Sequence, residues 1–235
     1  MRRRPSGPTR WVPSTFWRRP GCWALSRWFS PAPSATYGLG IEADTVDDLT
    51  LQRPLVMYGA CKLFGEHLGL FYKRNYGLDF RGVRFPALVG PGVRTRGAVQ
   101  YTAWMIEESV RGKPFTVWVE PRTRAPVLYF KDAARSLVEL ARAPAEDIGM
   151  VNYLLAGVTP VPSAGELADL TRAQVPGARI AFAPDGNLQA LLDKVLLPID
   201  ERCAREEWGW APRYDLEAMV ADFRTELERH PGRYA

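Results

Sequence analysis

The chain has 235 residues, 46% hydrophobic and 24% charged, ordinary globular values that exclude collagen-like, coiled-coil and wholly disordered chains and allow one large domain or two small ones. No run of about 18 uncharged apolar residues occurs, so no membrane-spanning helix is expected, and three scattered cysteines with two histidines point away from a disulfide framework or a metal site and toward a reducing, cytoplasmic setting. The net charge of +5 is local: seven of the 31 basic residues fall in 1–40, which holds no Asp or Glu, leaving 24 basic against 26 acidic over 41–235, so no nucleic-acid partner is expected.

Residues 1–33 are rich in Arg, Trp, Pro and Ser and show neither period 2 nor period 3.6. The stretch is read as irregular, disordered or non-native. A transit-like segment, a misassigned start and a genuine extension all remain open readings. The body, 34–235, is regular. A turn at 34–40 and an acidic loop at 41–54 lead into helical periodicity from about Met57 to Tyr76, stopped at Gly77. Strands are predicted at 79–85, 114–119, 126–130, 150–155 and 179–183. Helices are predicted over 98–111, over 133–142 with Asp132 as its cap, after the Ser163/Glu166 capping box, and after Asp215 with Leu216, Met219, Val220, Phe223 and Leu227 inward. Alternating strands and helices mark an α/β protein.

The chemistry-bearing feature is Tyr58-Gly-Ala-Cys-Lys62. Positions i and i+4 share a helix face, so the phenol and the ammonium project together. A neighbouring positive charge favours a phenolate, which lets a tyrosine exchange a proton with a substrate hydroxyl. Taken alone the pair is weak evidence, because a solvated helix face also produces it.

Several motifs in order make the stretch resemble the extended short-chain dehydrogenase/reductases, the NAD-dependent epimerase/dehydratases. They are Ser34-Ala-Thr36-Tyr37-Gly38; Pro54 with Tyr58-Gly59 and Lys62; Leu63, Gly65 and Glu66; Val83-Arg84-Phe85-Pro86 running to Gly90-Pro91-Gly92; and Tyr129-Phe130-Lys131-Asp132. Within that family the tail Arg205–Leu216, with its Trp208-Gly209-Trp210, and the run Arg84-Phe85-Pro86-Ala87 are similar to the L-threonine-dehydrogenase branch. The resemblance covers about residues 34–229. It implies the C-terminal half of a Rossmann-type parallel sheet with a small C-terminal α/β substrate lobe. It implies NAD as cofactor, a small-molecule substrate oxidised at a secondary alcohol, and a homodimer paired through the Tyr58 helix and its neighbour at 98–111. Tyr58 would be the acid/base and Lys62 its ribose-binding partner. Ser34, with Thr36 in reserve, would orient the substrate hydroxyl, and backbone after Pro86 would lie near the nicotinamide. Arg84 reads as structural, and Arg122 and Arg124 as a solvated loop. A sugar-nucleotide 4-epimerase or dehydratase is the alternative, and a truncated inactive fragment the third reading.

One departure is large. Dinucleotide binding needs a glycine-rich turn at a helix N-terminus, and no Gly-x-x-Gly-x-x-Gly occurs in the sequence. The family places roughly 100 residues, three or more units of about 30, before the hydroxyl turn; 33 residues precede Ser34. The sequence therefore reads as N-terminally truncated, poorly stable, with exposed apolar faces and unpaired sheet edges, and weak in NAD binding.

Overall fold

The computed structural model describes residues 27–33, 36–38 and 40–234. Strand β1 (Arg27–Pro33) is followed by helix α1 (Met57–Tyr76) and strand β2 (Asp79–Phe85). Then come β3 (Ala87–Val89), α2 (Tyr101–Val110), β4 (Phe115–Val117), β5 (Val127–Tyr129), α3 (Phe130–Arg142) and β6 (Asn152–Leu154). The remainder is α4 (Ala164–Gln174), β7 (Ile180–Phe182), α5 (Gly186–Val195), α6 (Arg202–Trp208) and α7 (Leu216–Arg229). The strands among the described residues all pair parallel: β1-β2-β6 form one sheet, β3 pairs β5, and β4 pairs β7. This is the expected α/β class with a Rossmann-type sheet and a second lobe.

Helix α1 ends where the sequence places it, at Gly77 in the left-handed conformation (φ 68°). Its inner face lies on β1 and β2. At Gly69 a Cβ would meet the Phe80 ring at 2.2 Å, so the helix can approach the strand this closely only without a side chain there. One core, around Val83, Phe85, Leu140, Tyr153, Leu155 and Trp210, holds the sheet to α3 and the tail. A larger core, including Tyr101, Met105, Ile106, Val127, Phe223 and Leu227, fills the second lobe.

Three expectations change. Residues 27–33 form a strand, with Arg27↔Asp79 through Pro33↔Phe85 in register; Pro31 and Pro33 hide it in the sequence, because proline lacks an N–H and is confined to strand edges, and β1 is an edge among the described residues. The earlier residues lie outside the described ones. Asp132 is not a cap: α3 starts at Phe130, and the buried Asp132 carboxylate accepts the Arg213 and Tyr214 N–H groups at 2.9 and 3.1 Å, fastening the tail. Helix α2 is no free pairing surface. It is buried against α4, α7 and β4 with most of its circumference covered.

The other caps form as predicted. Ser163 Oγ accepts from Glu166 N while the Glu166 carboxylate accepts from Ser163 N, and Asp215 accepts from Ala218 N at 2.8 Å. The fully buried Trp210 donates its indole N–H to Glu201 at 3.0 Å and lies under the Arg135 guanidinium at 4.7 Å. Trp210→Ala is expected to cost about 3–5 kcal/mol by cavity formation, against about 1 kcal/mol for Ser163→Ala. Urea unfolding of both variants checks the ranking.

Candidate active site

The parallel register aligns Pro33, the last residue of β1, with Phe85, the last residue of β2. The 36–38 turn and Pro86 therefore leave the sheet at the same carboxyl edge, where ligands bind in open α/β sheets. Helix α1 connects these parallel strands and runs back along them, so Tyr58, its second residue, starts from that edge. Lys62 Nζ lies 5.6 Å from the Tyr58 ring centroid. The phenol is 58% exposed and Lys62 half-buried, so the pair faces a surface that a ligand can reach. Thr36 and Pro86 are buried. Pro86 ends the ladder of β2, and Ala87 then begins pairing with β5, so the chain changes sheets at that proline. Ser34 lies outside the described residues.

Behind this edge is a buried charged network that the sequence signalled only as an arginine inside a strand. Arg84 donates Nε–H and Nη2–H to the two Glu66 oxygens at 3.0 and 2.8 Å. Its Nη1 donates to Tyr37 Oη at 3.1 Å and to the Asp48 carbonyl at 3.4 Å, and its Nη2 to Gln52 Oε1 at 3.2 Å. Tyr37 in turn donates to the Asp47 carbonyl at 2.9 Å, and burial pushes its phenol up to about 12 despite the nearby Arg84. Arg84 is thus structural, as read, and its partners come from α1, the 36–38 turn and the acidic loop. The loop also closes over Gly38, where a Cβ would stand 1.8 Å from the Arg53 carbonyl oxygen.

Asp48 accepts the Leu154 N–H at 2.5 Å. Burial pushes its carboxyl up to about 6, opposed by that N–H and by contact with Cys203. Arg122 pairs with Glu120 and Asp193, and Arg124 with Glu166, all on the surface. That agrees with a solvated loop.

Lys62 and Tyr58 on α1 and the buried Pro86 junction share the carboxyl edge, and an ammonium and a phenol have the hydrogen-bonding chemistry that the ribose of NAD would require. No described strand–helix junction carries the glycine triplet that a pyrophosphate requires.

A model of the NAD dependent epimerase/dehydratase family matches residues 25–154. The bovine mitochondrial L-threonine 3-dehydrogenase is 31% identical over 195 residues, covering 83% of this chain and 52% of the relative. The holo form of a GalE-like L-threonine dehydrogenase from Cupriavidus necator superposes with TM-score 0.77 at 32% identity, over 86% of this chain and 65% of that one. A UDP-glucuronic acid 4-epimerase from Bacillus cereus, at TM-score 0.70 and 20% identity over 87% of this chain and 63% of that one, shares the fold. The chain spans about half the length of the curated relatives it matches.

Gly38→Ala should lift the loop off the turn, read as faster amide exchange at Tyr37 and Asp48. Asp48 has a raised folded value, so the folded state holds the extra proton, and its contribution is full below about pH 4 and lost as pH rises through about 6. Asp48→Asn should remove that downward slope, measured as the difference between the two proteins' unfolding free energies across pH 4–7.

Proposed function

The chain belongs to the NAD-dependent epimerase/dehydratase family, and from that membership we propose that it is the Tyr/Lys-bearing part of an oxidoreductase that oxidises the secondary alcohol of a small β-hydroxy amino acid, threonine-like in size. The observation that carries the reading is the Tyr58–Lys62 pair, held 5.6 Å ring to ammonium at the carboxyl edge of a parallel sheet. Support for the substrate class comes from the L-threonine dehydrogenases among the relatives at about 30% identity.

In this reading Tyr58 Oη takes the proton of the substrate hydroxyl. The Lys62 ammonium stabilises the negative charge that the phenol oxygen carries before it does so, and hydrogen-bonds the cofactor ribose. Of the two candidate hydroxyls, Thr36 is completely buried, which leaves Ser34 to orient the alcohol. When bound, NAD would supply the hydride acceptor for the adjacent carbon, and backbone after Pro86 would help to hold it. With a proton given to Tyr58 and a hydride accepted by that cofactor, the alcohol would become a ketone. We place the chain in a reducing compartment such as the cytoplasm, which suits the free Cys61 and Cys203. No described helix is long and apolar enough to cross a membrane. For a homodimer the pairing face is the outer side of α1, where Phe64, Leu68 and Phe71 are exposed.

Incubation with NAD and L-threonine, followed by NADH absorbance, tests the reaction. Tyr58→Phe should lower turnover about 10²–10⁴-fold, and Lys62→Met should do so with a raised Michaelis constant for NAD. A sugar-nucleotide epimerase, the second reading, returns its hydride and accumulates no NADH. Its support is the shared fold alone. Equal turnover by wild type and Tyr58→Phe would overturn the assignment.

A further inference from the structure

We propose that Arg84 is a positioning residue, whose single guanidinium sets the hydroxyl-bearing 36–38 turn against the helix that carries Tyr58 and Lys62; the inference rests on the functional reading above. Arg84 is at the end of β2, 6% exposed. Its two-pronged contact with Glu66 reaches α1 two helical turns beyond Tyr58 and on the inner face. Because a helix is stiff over that distance, about 1.5 Å per residue along its axis, fixing Glu66 fixes where Tyr58 begins.

The same guanidinium reaches the turn through Tyr37 Oη, and the loop that roofs the turn through the Asp48 carbonyl and Gln52. The loop then returns to the turn twice. The Asp47 carbonyl receives the Tyr37 hydroxyl, and the Arg53 carbonyl covers Gly38. Asp48 anchors the loop to β6 by accepting the Leu154 N–H. Thr36, next to Tyr37, is completely buried beneath this arrangement. Helix and turn are separate segments with no covalent tie shorter than the acidic loop, and the one guanidinium of Arg84 contacts both, the helix at Glu66 and the turn at Tyr37. A planar fork with five fixed donors can hold three segments at defined angles. A lysine at the same site would supply charge without that geometry.

A purely stabilising ion pair and a positioning one differ in a testable way. Replacing a buried pair with apolar residues of similar volume is often neutral or stabilising. The variant Arg84→Met/Glu66→Leu should therefore keep the wild-type thermal midpoint or raise it, yet untie the turn. The distance reporter is a pair of spin labels on the exposed native Cys61 of α1 and on Glu42→Cys in the loop, with Cys22 and Cys203 replaced by alanine. Pulsed dipolar spectroscopy on the whole chain should give one narrow distance in the unaltered network and a broad distribution in the double variant. Tyr37→Phe, which keeps the Arg84–Glu66 pair, should broaden it in part and serves if the double variant does not fold. In turnover of L-threonine with NAD, the double variant should lose about a hundredfold in kcat, the effect of an ångström-scale misplacement, with the Michaelis constant changed less than about twofold. A narrow distribution in folded variants overturns the proposal. So does a loss of kcat that only follows a fall in thermal midpoint. If the unaltered chain shows no turnover while the distance still broadens in the variants, the catalytic reading fails and the positioning role of Arg84 stands.

Discussion

The structure depends on a charge that has to be buried. Arg84 is on a strand covered by α1 on one side and by the acidic loop at its end, and an unpaired guanidinium there would cost several kcal/mol. Glu66 supplies the opposite charge, and both of its oxygens are used. The remaining donors need Tyr37, Asp48 and Gln52. Satisfying one side chain therefore dictates how three segments far apart in the chain must lie. The tyrosine and glycine of the 36–38 turn fit this role without reference to substrate: Tyr37 is the acceptor that Arg84 requires, and Gly38 leaves room for the Arg53 carbonyl.

A related constraint closes the far side of the sheet. Strand β6 has no further strand beside it among the described residues, and an open ladder is a template for unwanted pairing. Two alternate N–H groups of this segment, Leu154 and Ala156, are taken by carboxylates, Asp48 from the acidic loop and Glu201 from the start of α6. Glu201 also receives the Trp210 indole. The sheet edge, the roof over the turn and the tryptophan tail thus share acceptors. This explains in physical terms why the acidic loop and the tail accompany the Tyr/Lys helix in one chain.

Legibility followed the range of the interactions. Helix α1 and strand β2 could be read closely, because a glycine stop and a short run with Phe80, Val83 and Phe85 ahead of a proline are local signals. The capping box at Ser163 and the cap at Asp215 are equally local, and both form. Strand β1 could not be read, because its two prolines imitate a loop. Asp132 misled as a cap because its partners, the Arg213 and Tyr214 N–H groups, lie some 80 residues away. Helices α5 and α6 are short, 10 and 7 residues, and went unpredicted. The i, i+4 spacing of Tyr58 and Lys62 carried through to the structure as a shared face. The network around Arg84 was visible only as an arginine within a strand, since its contacts span 18 to 47 residues.

Helix α1 has two faces of opposite character, and the contrast bears on how the site works. The inner face is built for close approach: Gly59, Glu66 and Gly69 are its buried residues, two without side chains and one committed to Arg84. The outer face carries Phe64 at 67% exposure, with Leu68 and Phe71 each at 43%. These recur at i, i+4 and i+7, the spacing of a seam that packs on another surface. An apolar stripe of this kind in water invites a covering partner. Tyr58 and Lys62 stand on the first two turns of this helix. Their distance from the 36–38 turn is set from inside by Arg84. Any surface that settles on Phe64, Leu68 and Phe71 would bear on the same rigid helix from outside, so packing on the outer face and the buried ion pair act on the pair's position through one element.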